Sequence, residues 1–145
     1  MSFGWINWIN MMVVMCLIFI NVIVARKGLS DSFNSKHLAF NLFEQIGRYG
    51  CMVLMILPIF ARGWEFGFNS ATEMLVWICL TILLLVIYSL LWVKKANGSA
   101  GILYGLAIVP VILFLLNGIL LCHPALVVAS LIFGISHFII VKENI

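Results

Sequence analysis

Charge is scarce in this chain: 9% of its 145 residues are charged and 65% are hydrophobic, with a mean hydropathy of +1.22. A water-soluble domain carries roughly a quarter charged residues. Too few polar groups are present to cover a globule, so lipid must serve as solvent. The length allows one compact bundle and no second domain. Chemical motifs are equally thin. No CxxC, no Cys/His cluster at zinc spacing, no HExxH, no GxSxG and no phosphate-cradling glycine loop occurs. Neither a metal nor a cofactor is expected. The four cysteines, Cys16, Cys51, Cys79 and Cys122, lie within or beside apolar runs and read as small buried hydrophobes. The opening MSFGWINWIN has no basic n-region, which suits an uncleaved first span better than a signal peptide.

What the chain has is long apolar runs. A helix needs about 20 apolar residues to cross a ~30 Å hydrocarbon core. On that measure the sequence predicts an all-α bundle of five spans, at about 5–25, 39–61, 73–93, 100–121 and 124–141. Cys122, His123 and Pro124 break the last two, because proline disfavours helix in the residue before it. The start of the second span lies somewhere between Leu38 and Tyr49, and its end near Ala61.

The basic residues alternate with this count. Arg26, Lys27, Lys36, Arg48, Lys94, Lys95 and Lys142 fall on one side and Arg62, beside Glu65 and Glu73, on the other. The positive-inside rule then predicts an outer N-terminus and a cytoplasmic C-terminus. The net charge of +3 is therefore topological, and no nucleic-acid partner is implied. Trp5 and Trp8, and Trp64, Phe66 and Phe68 in RGWEFGF, fit an outer aromatic belt. The Asn97-Gly98-Ser99 sequon falls in a predicted cytoplasmic loop and is discounted. Short loops and no targeting signal favour a bacterial cytoplasmic membrane. The partners expected are membrane lipids, with a homo-oligomer or a larger membrane complex as the setting.

Polar residues inside the spans mark candidate contacts. Asn7, Asn10 and Asn21 share a sector of span 1 with Val14 and Leu17, as glue between helices or as the lining of a polar cavity. Trp77, Thr81, Tyr88 and Trp92 share a stripe of span 3. Trp77 and Trp92 are spaced to reach the two interfacial belts, and a ligand wall is the second reading. Gly101 and Gly105 form a GxxxG in span 4, with Pro110 mid-span. Ser130, Gly134 and His137 share a face of span 5, the two small residues for close packing and His137 within the bundle.

The stretch NLFEQIGRYG, residues 41–50, poses the sharpest question. The apolar run from Tyr49 to Ala61 is too short to span, so the helix must begin earlier and carry Glu44 and Arg48 to bilayer depth. Glu before Arg at i, i+4 is the favourable order for a helical pair. Two arrangements fit. Residues 36–47 could lie in the interface as an amphipathic helix kinked at Gly47 or Gly50, with the charges on headgroups. Alternatively the helix is continuous and the pair faces inward, at the depth of His137, Tyr49 and Tyr104. The candidate ligand-binding residues are accordingly Glu44, Arg48, Tyr49, Tyr104 and His137. Intramembrane ionisable residues are costly to keep and mark functional sites.

Three function classes follow. The first is a module that binds or transports a small lipophilic or amphipathic molecule around a cytoplasm-facing polar cluster. The second is a non-catalytic accessory or scaffold subunit of a membrane complex. The third is a lipid-modifying enzyme with Glu44 or His137 as general base. Loops this short leave little room for a polar co-substrate, so no enzyme is favoured.

Overall fold

A computed structural model describes residues 2–29, 33–62, 66–95 and 99–145. Trp64 and Glu65 and the Asn97-Gly98 pair of the sequon lie outside the described residues. Five helices follow in order: α1 (Trp8–Arg26), α2 (Leu38–Ile56), α3 (Ala71–Lys94), α4 (Ala100–Leu120) and α5 (Pro124–Asn144). No strand occurs among the described residues; one isolated bridge pairs Ser2 with Gly67. The helices α1, α3, α4 and α5 are long and apolar enough to cross a membrane. α2 is as long as α1, but Asn41, Glu44, Gln45 and Arg48 make its first half more polar.

Successive helices run in alternate directions, so the α1 start, the α2 end and the α4–α5 turn share one end of the bundle, called upper here. α2 and α5 pack most closely, α4 joins α5 and α3, and α1 lies lightly against α2 and α3. The core threads through the middle on Leu17, Met55, Leu113, Phe114, Leu126 and Phe133. The exterior is apolar: Phe19, Ile46, Val93 and Ile135 are all exposed.

Local chemistry sets the helix ends. Ser70 Oγ accepts the Glu73 N–H at 3.2 Å and Glu73 Oε2 accepts the Asn69 N–H at 3.0 Å, which fixes the start of α3. Asn41 exchanges two hydrogen bonds with the Ser35 backbone, 2.9 and 3.0 Å, and so steadies the entry to α2. α2 stops at Ile56, short of the expected end near Ala61. Leu57 is extended, as a residue before proline prefers, and Pro58 has no N–H to continue the ladder.

The carbonyls orphaned by that break are claimed by other elements. Asn10 Nδ2 donates to Met55 O (3.0 Å), the Asn7 N–H donates to Ile56 O (2.9 Å), and His123 Nε2 lies 3.2 Å from Leu57 O. Asn10 is thus glue between α1 and α2 rather than a cavity lining, whereas the Asn7 side chain caps α1 by accepting the Asn10 N–H at 2.9 Å.

His123 sits in a tight turn. The His123 N–H bonds Gly118 O (2.8 Å) and the Cys122 N–H bonds Ile119 O (3.1 Å), with Cys122 left-handed at φ 52°. This closes α4 with a Schellman motif built on a non-glycine residue. His123 Nδ1 accepts the Leu126 N–H at 3.4 Å and caps α5. One imidazole therefore donates to α2 and accepts from α5, a pattern only its neutral form provides. Burial, partly opposed by the Leu57 carbonyl, pushes the His123 pKa below its ordinary value.

The sign follows. Unfolded histidine titrates near pH 6.5. The contribution from neutral His123 is complete above that pH and is lost as pH falls from about 6.5 through the depressed folded value. The thermal midpoint of the wild type should fall more between pH 7.5 and pH 5 than that of His123→Gln. Equal falls would show that His123 carries no such linkage.

Several outward assignments are overturned. Phe66, Phe68 and Trp77 are buried, not interfacial: they cluster with Phe3 and Leu121 at the upper end. Trp77 Nε1 donates to Asn117 Oδ1 at 2.6 Å, and Asn117 Nδ2 donates to Leu113 O. Trp5 and Trp8 do face outward. Among the cysteines only Cys51 is buried; Cys16, Cys79 and Cys122 are exposed. The GxxxG does not bring two backbones together. A Cβ on Gly101 would meet open space, and one on Gly105 would meet only the Leu91 side chain. The close approaches are at Gly118 against the Val127 backbone, Gly134 against Val111, and Gly47 against Phe133.

Candidate ligand site within the helix bundle

α2 is continuous through Gly47 and Gly50, so neither glycine interrupts it. Glu44, Gly47 and Arg48 fall at i, i+3 and i+4 and share the face turned to α5. A Cβ on Gly47 would stand 2.8 Å from Phe133 Cβ and 2.9 Å from its Cα and N. Only a bare glycine lets the two helix backbones come this close. That approach brings Glu44 to His137, one turn beyond Phe133.

The cluster is compact. Glu44 is 4% exposed, and its Oε1 binds the Arg48 guanidinium and lies 3.2 Å from His137 Nδ1. A carboxylate only accepts, so Nδ1 carries the proton in that bond. Phe133 packs against both the Arg48 and the His137 side chains. Its ring stacks on His137 at 5.0 Å and 22°, and Arg48 Cζ sits 5.9 Å from its centroid.

Arg48 and His137 also line a cavity of about 190 Å³. Tyr88 and Trp92 of α3, Leu106 and Pro110 of α4, and Asn21 of α1 complete its walls. The Tyr88 hydroxyl donates to Asn21 Oδ1 at 2.8 Å, the polar link between α1 and α3. Trp92 meets Tyr88 edge-on at 6.2 Å and turns its Nε1 towards it without a hydrogen bond of good geometry. Lys95 lies 4.8 Å from the Trp92 ring and donates to Leu29 O. A second, more open cleft of about 640 Å³ adjoins the first between α1 and α2. Asn21, Arg48, Met52 and Trp92 border both.

Of the five expected ligand residues, Glu44, Arg48 and His137 converge. Tyr49 is exposed and lines the open cleft rather than the cavity. Tyr104 packs against Phe138 at 5.7 Å and borders neither space. Ser130 is buried with its hydroxyl returned to Val127 O, which leaves it structural. Sequence reasoning did not select Lys95, Met52 or Phe133. Lys95 read as a topology signal, and the other two lie undistinguished within apolar runs. No group of three His, Cys, Asp or Glu able to hold a metal occurs among the described residues. Comparison of the chain with protein-family models, with curated proteins and with solved structures gave no match.

Proposed function

We propose that the chain is a five-span membrane protein, N-terminus outside and C-terminus cytoplasmic, that binds or transports a small amphipathic molecule at the Glu44–Arg48–His137 cluster. The observation that carries the reading is a buried carboxylate bonded to Arg48 and His137, which line a cavity that shares Asn21, Arg48, Met52 and Trp92 with an adjoining, largely apolar cleft. Pockets of a few hundred Å³ with apolar walls and a few convergent polar groups are the usual form of small-molecule sites.

Four apolar helices and an apolar exterior support the membrane setting. α2, packed between α1 and α5, would be the fifth span, with its charges turned to protein rather than lipid. The basic side chains support the orientation: Arg26, Lys27, Lys36, Arg48, Lys94, Lys95 and Lys142 belong to the lower end, Arg62 to the upper. The short connections favour a bacterial cytoplasmic membrane.

Native mass spectrometry of the full chain, released from mild detergent, tests the binding reading. The wild type should retain a co-purified amphiphile. Met52→Trp, which places a large ring where the two spaces meet, should lower the retained fraction at least fivefold while the thermal midpoint stays within a few degrees. Equal retention by a folded Met52→Trp protein would remove the cavity from the function.

A further inference from the structure

Where the cavity meets the α1–α2 cleft, the side chains offer hydrogens and no free acceptor. Asn21, Arg48, Met52 and Trp92 border both spaces. Asn21 Oδ1 already accepts the Tyr88 hydroxyl at 2.8 Å, which leaves the Nδ2 hydrogens of that amide. Arginine and indole carry donors only. Arg48 engages Glu44 with one Nη, and that carboxylate compensates its charge. Lys95, also on the cavity wall, is engaged with Leu29 O and the Trp92 ring. A group seated at the junction therefore has to bring an acceptor oxygen. With Arg48 already paired to a carboxylate, that oxygen needs no charge.

Behind the junction the cavity is lined with rings: Phe33, Tyr88, Trp92, Phe114, Phe133 and His137. Aromatic faces and edges hold a planar ring by offset or edge-on contact, a gain beyond the burial of area that an acyl chain would share. The volume of about 190 Å³ suits one six-membered ring with small substituents, since an apolar cavity of about 150 Å³ holds benzene. The adjoining cleft has a different lining. Ile18, Val22 and Val53 are apolar and exposed there, and α1 is only lightly packed along this flank. A ligand lying across both spaces has a ring among rings, an oxygen on N–H groups and a tail between apolar helix faces.

We infer that the ligand is a neutral lipophile with a planar, carbonyl-bearing ring of quinone type, its ring in the cavity, a carbonyl oxygen on the Arg48 and Asn21 N–H groups and its apolar tail along Val22 and Val53. This rests on the binding reading above and adds the chemistry of the head and the path of the tail.

The test uses the purified full chain in dodecyl maltoside and four probes: decyltrimethylbenzoquinone, the matching decyltrimethylbenzene without the two oxygens, methyl decyl ketone, and dodecyl phosphate. The fully substituted quinone ring leaves no open position for addition of the exposed Cys16, Cys79 and Cys122 thiols. Occupancy is read by native mass spectrometry. The quinone should bind at least tenfold tighter than each of the other three. Glu44→Gln/Arg48→Met, which removes the guanidinium without stranding a carboxylate, should abolish most of the preference for the quinone over the hydrocarbon. Because that readout is a ratio of two ligands on one protein, a general loss of stability does not imitate it. Val22→Trp, on an exposed face of α1, should weaken the quinone at least fivefold.

Equal binding of the quinone and the hydrocarbon, both sensitive to Met52→Trp, would overturn the carbonyl contact and leave the binding reading standing. Methyl decyl ketone bound as tightly as the quinone would overturn the ring, and dodecyl phosphate bound more tightly would overturn the neutral head. Quinone binding insensitive to Val22→Trp would overturn the path of the tail. Failure of every probe to bind the folded protein would sink both readings.

Discussion

Gly47→Leu is expected to be the most damaging single substitution in the chain. A Cβ at this position would fall 2.8–2.9 Å from the Cβ, Cα and N of Phe133, and two of those three atoms are backbone. Backbone cannot swing aside as a side-chain tip can, so α2 and α5 must separate. Overpacking by a few methylenes costs about 1–3 kcal/mol, and a leucine against a helix axis belongs at or above the top of that range. The 3.2 Å contact between Glu44 and His137 spans the same interface and would open with it.

Gly50→Leu is the matched control. It lies three residues on in the same helix, and a Cβ there meets nothing within 4 Å. Leucine should be neutral or gain up to about 1 kcal/mol from helix propensity. The thermal midpoint in detergent should therefore fall for Gly47→Leu and hold or rise for Gly50→Leu. Equal midpoints for the two variants would refute the close approach of α2 and α5.

The positions of the helices are legible because hydropathy and length are local properties. The inward faces are only partly so. In an apolar helix, lipid and protein core select the same side chains, and apolar periodicity loses its meaning. Polar residues become the marker instead. Asn7, Asn10, Val14 and Leu17 on α1, and Trp77, Thr81 and Tyr88 on α3, are indeed buried faces. Trp77 misleads when taken alone, since an indole suits both a membrane interface and a core with an amide partner, and Asn117 lies forty residues away. Cys16 and Cys79 mislead for the matching reason: a small apolar residue tells nothing of which apolar medium it faces.

The candidate site divides in the same way. The pairing of Glu44 with Arg48 follows from their spacing on one helix. Their convergence with His137 depends on Gly47, whose role as a contact between helices is invisible locally, where glycine also reads as a kink. Gly101 shows the reverse case, a packing motif with no helix against it.

The second large effect concerns Glu44. Glu44→Leu should destabilise the protein by about 1–3 kcal/mol. Breaking a fully buried pair costs about 3–5 kcal/mol, because the surviving charge is stranded. The value here is lower because the Arg48 side chain is 37% exposed and can turn part of its charge to solvent or headgroups. Glu44 contributes mainly by giving Arg48 and His137 an acceptor where Phe133 and the backbones of α2 and α5 supply none. Removing the need for it should restore much of the loss. Glu44→Leu/Arg48→Leu is expected to be more stable than Glu44→Leu alone, with a coupling energy of about 1–3 kcal/mol between the two sites. Unfolding midpoints of the wild type, both single variants and the double variant, measured in one detergent at one pH, complete the cycle. Additive losses would mean that the two side chains act independently, and Glu44 would then have another partner to account for its burial.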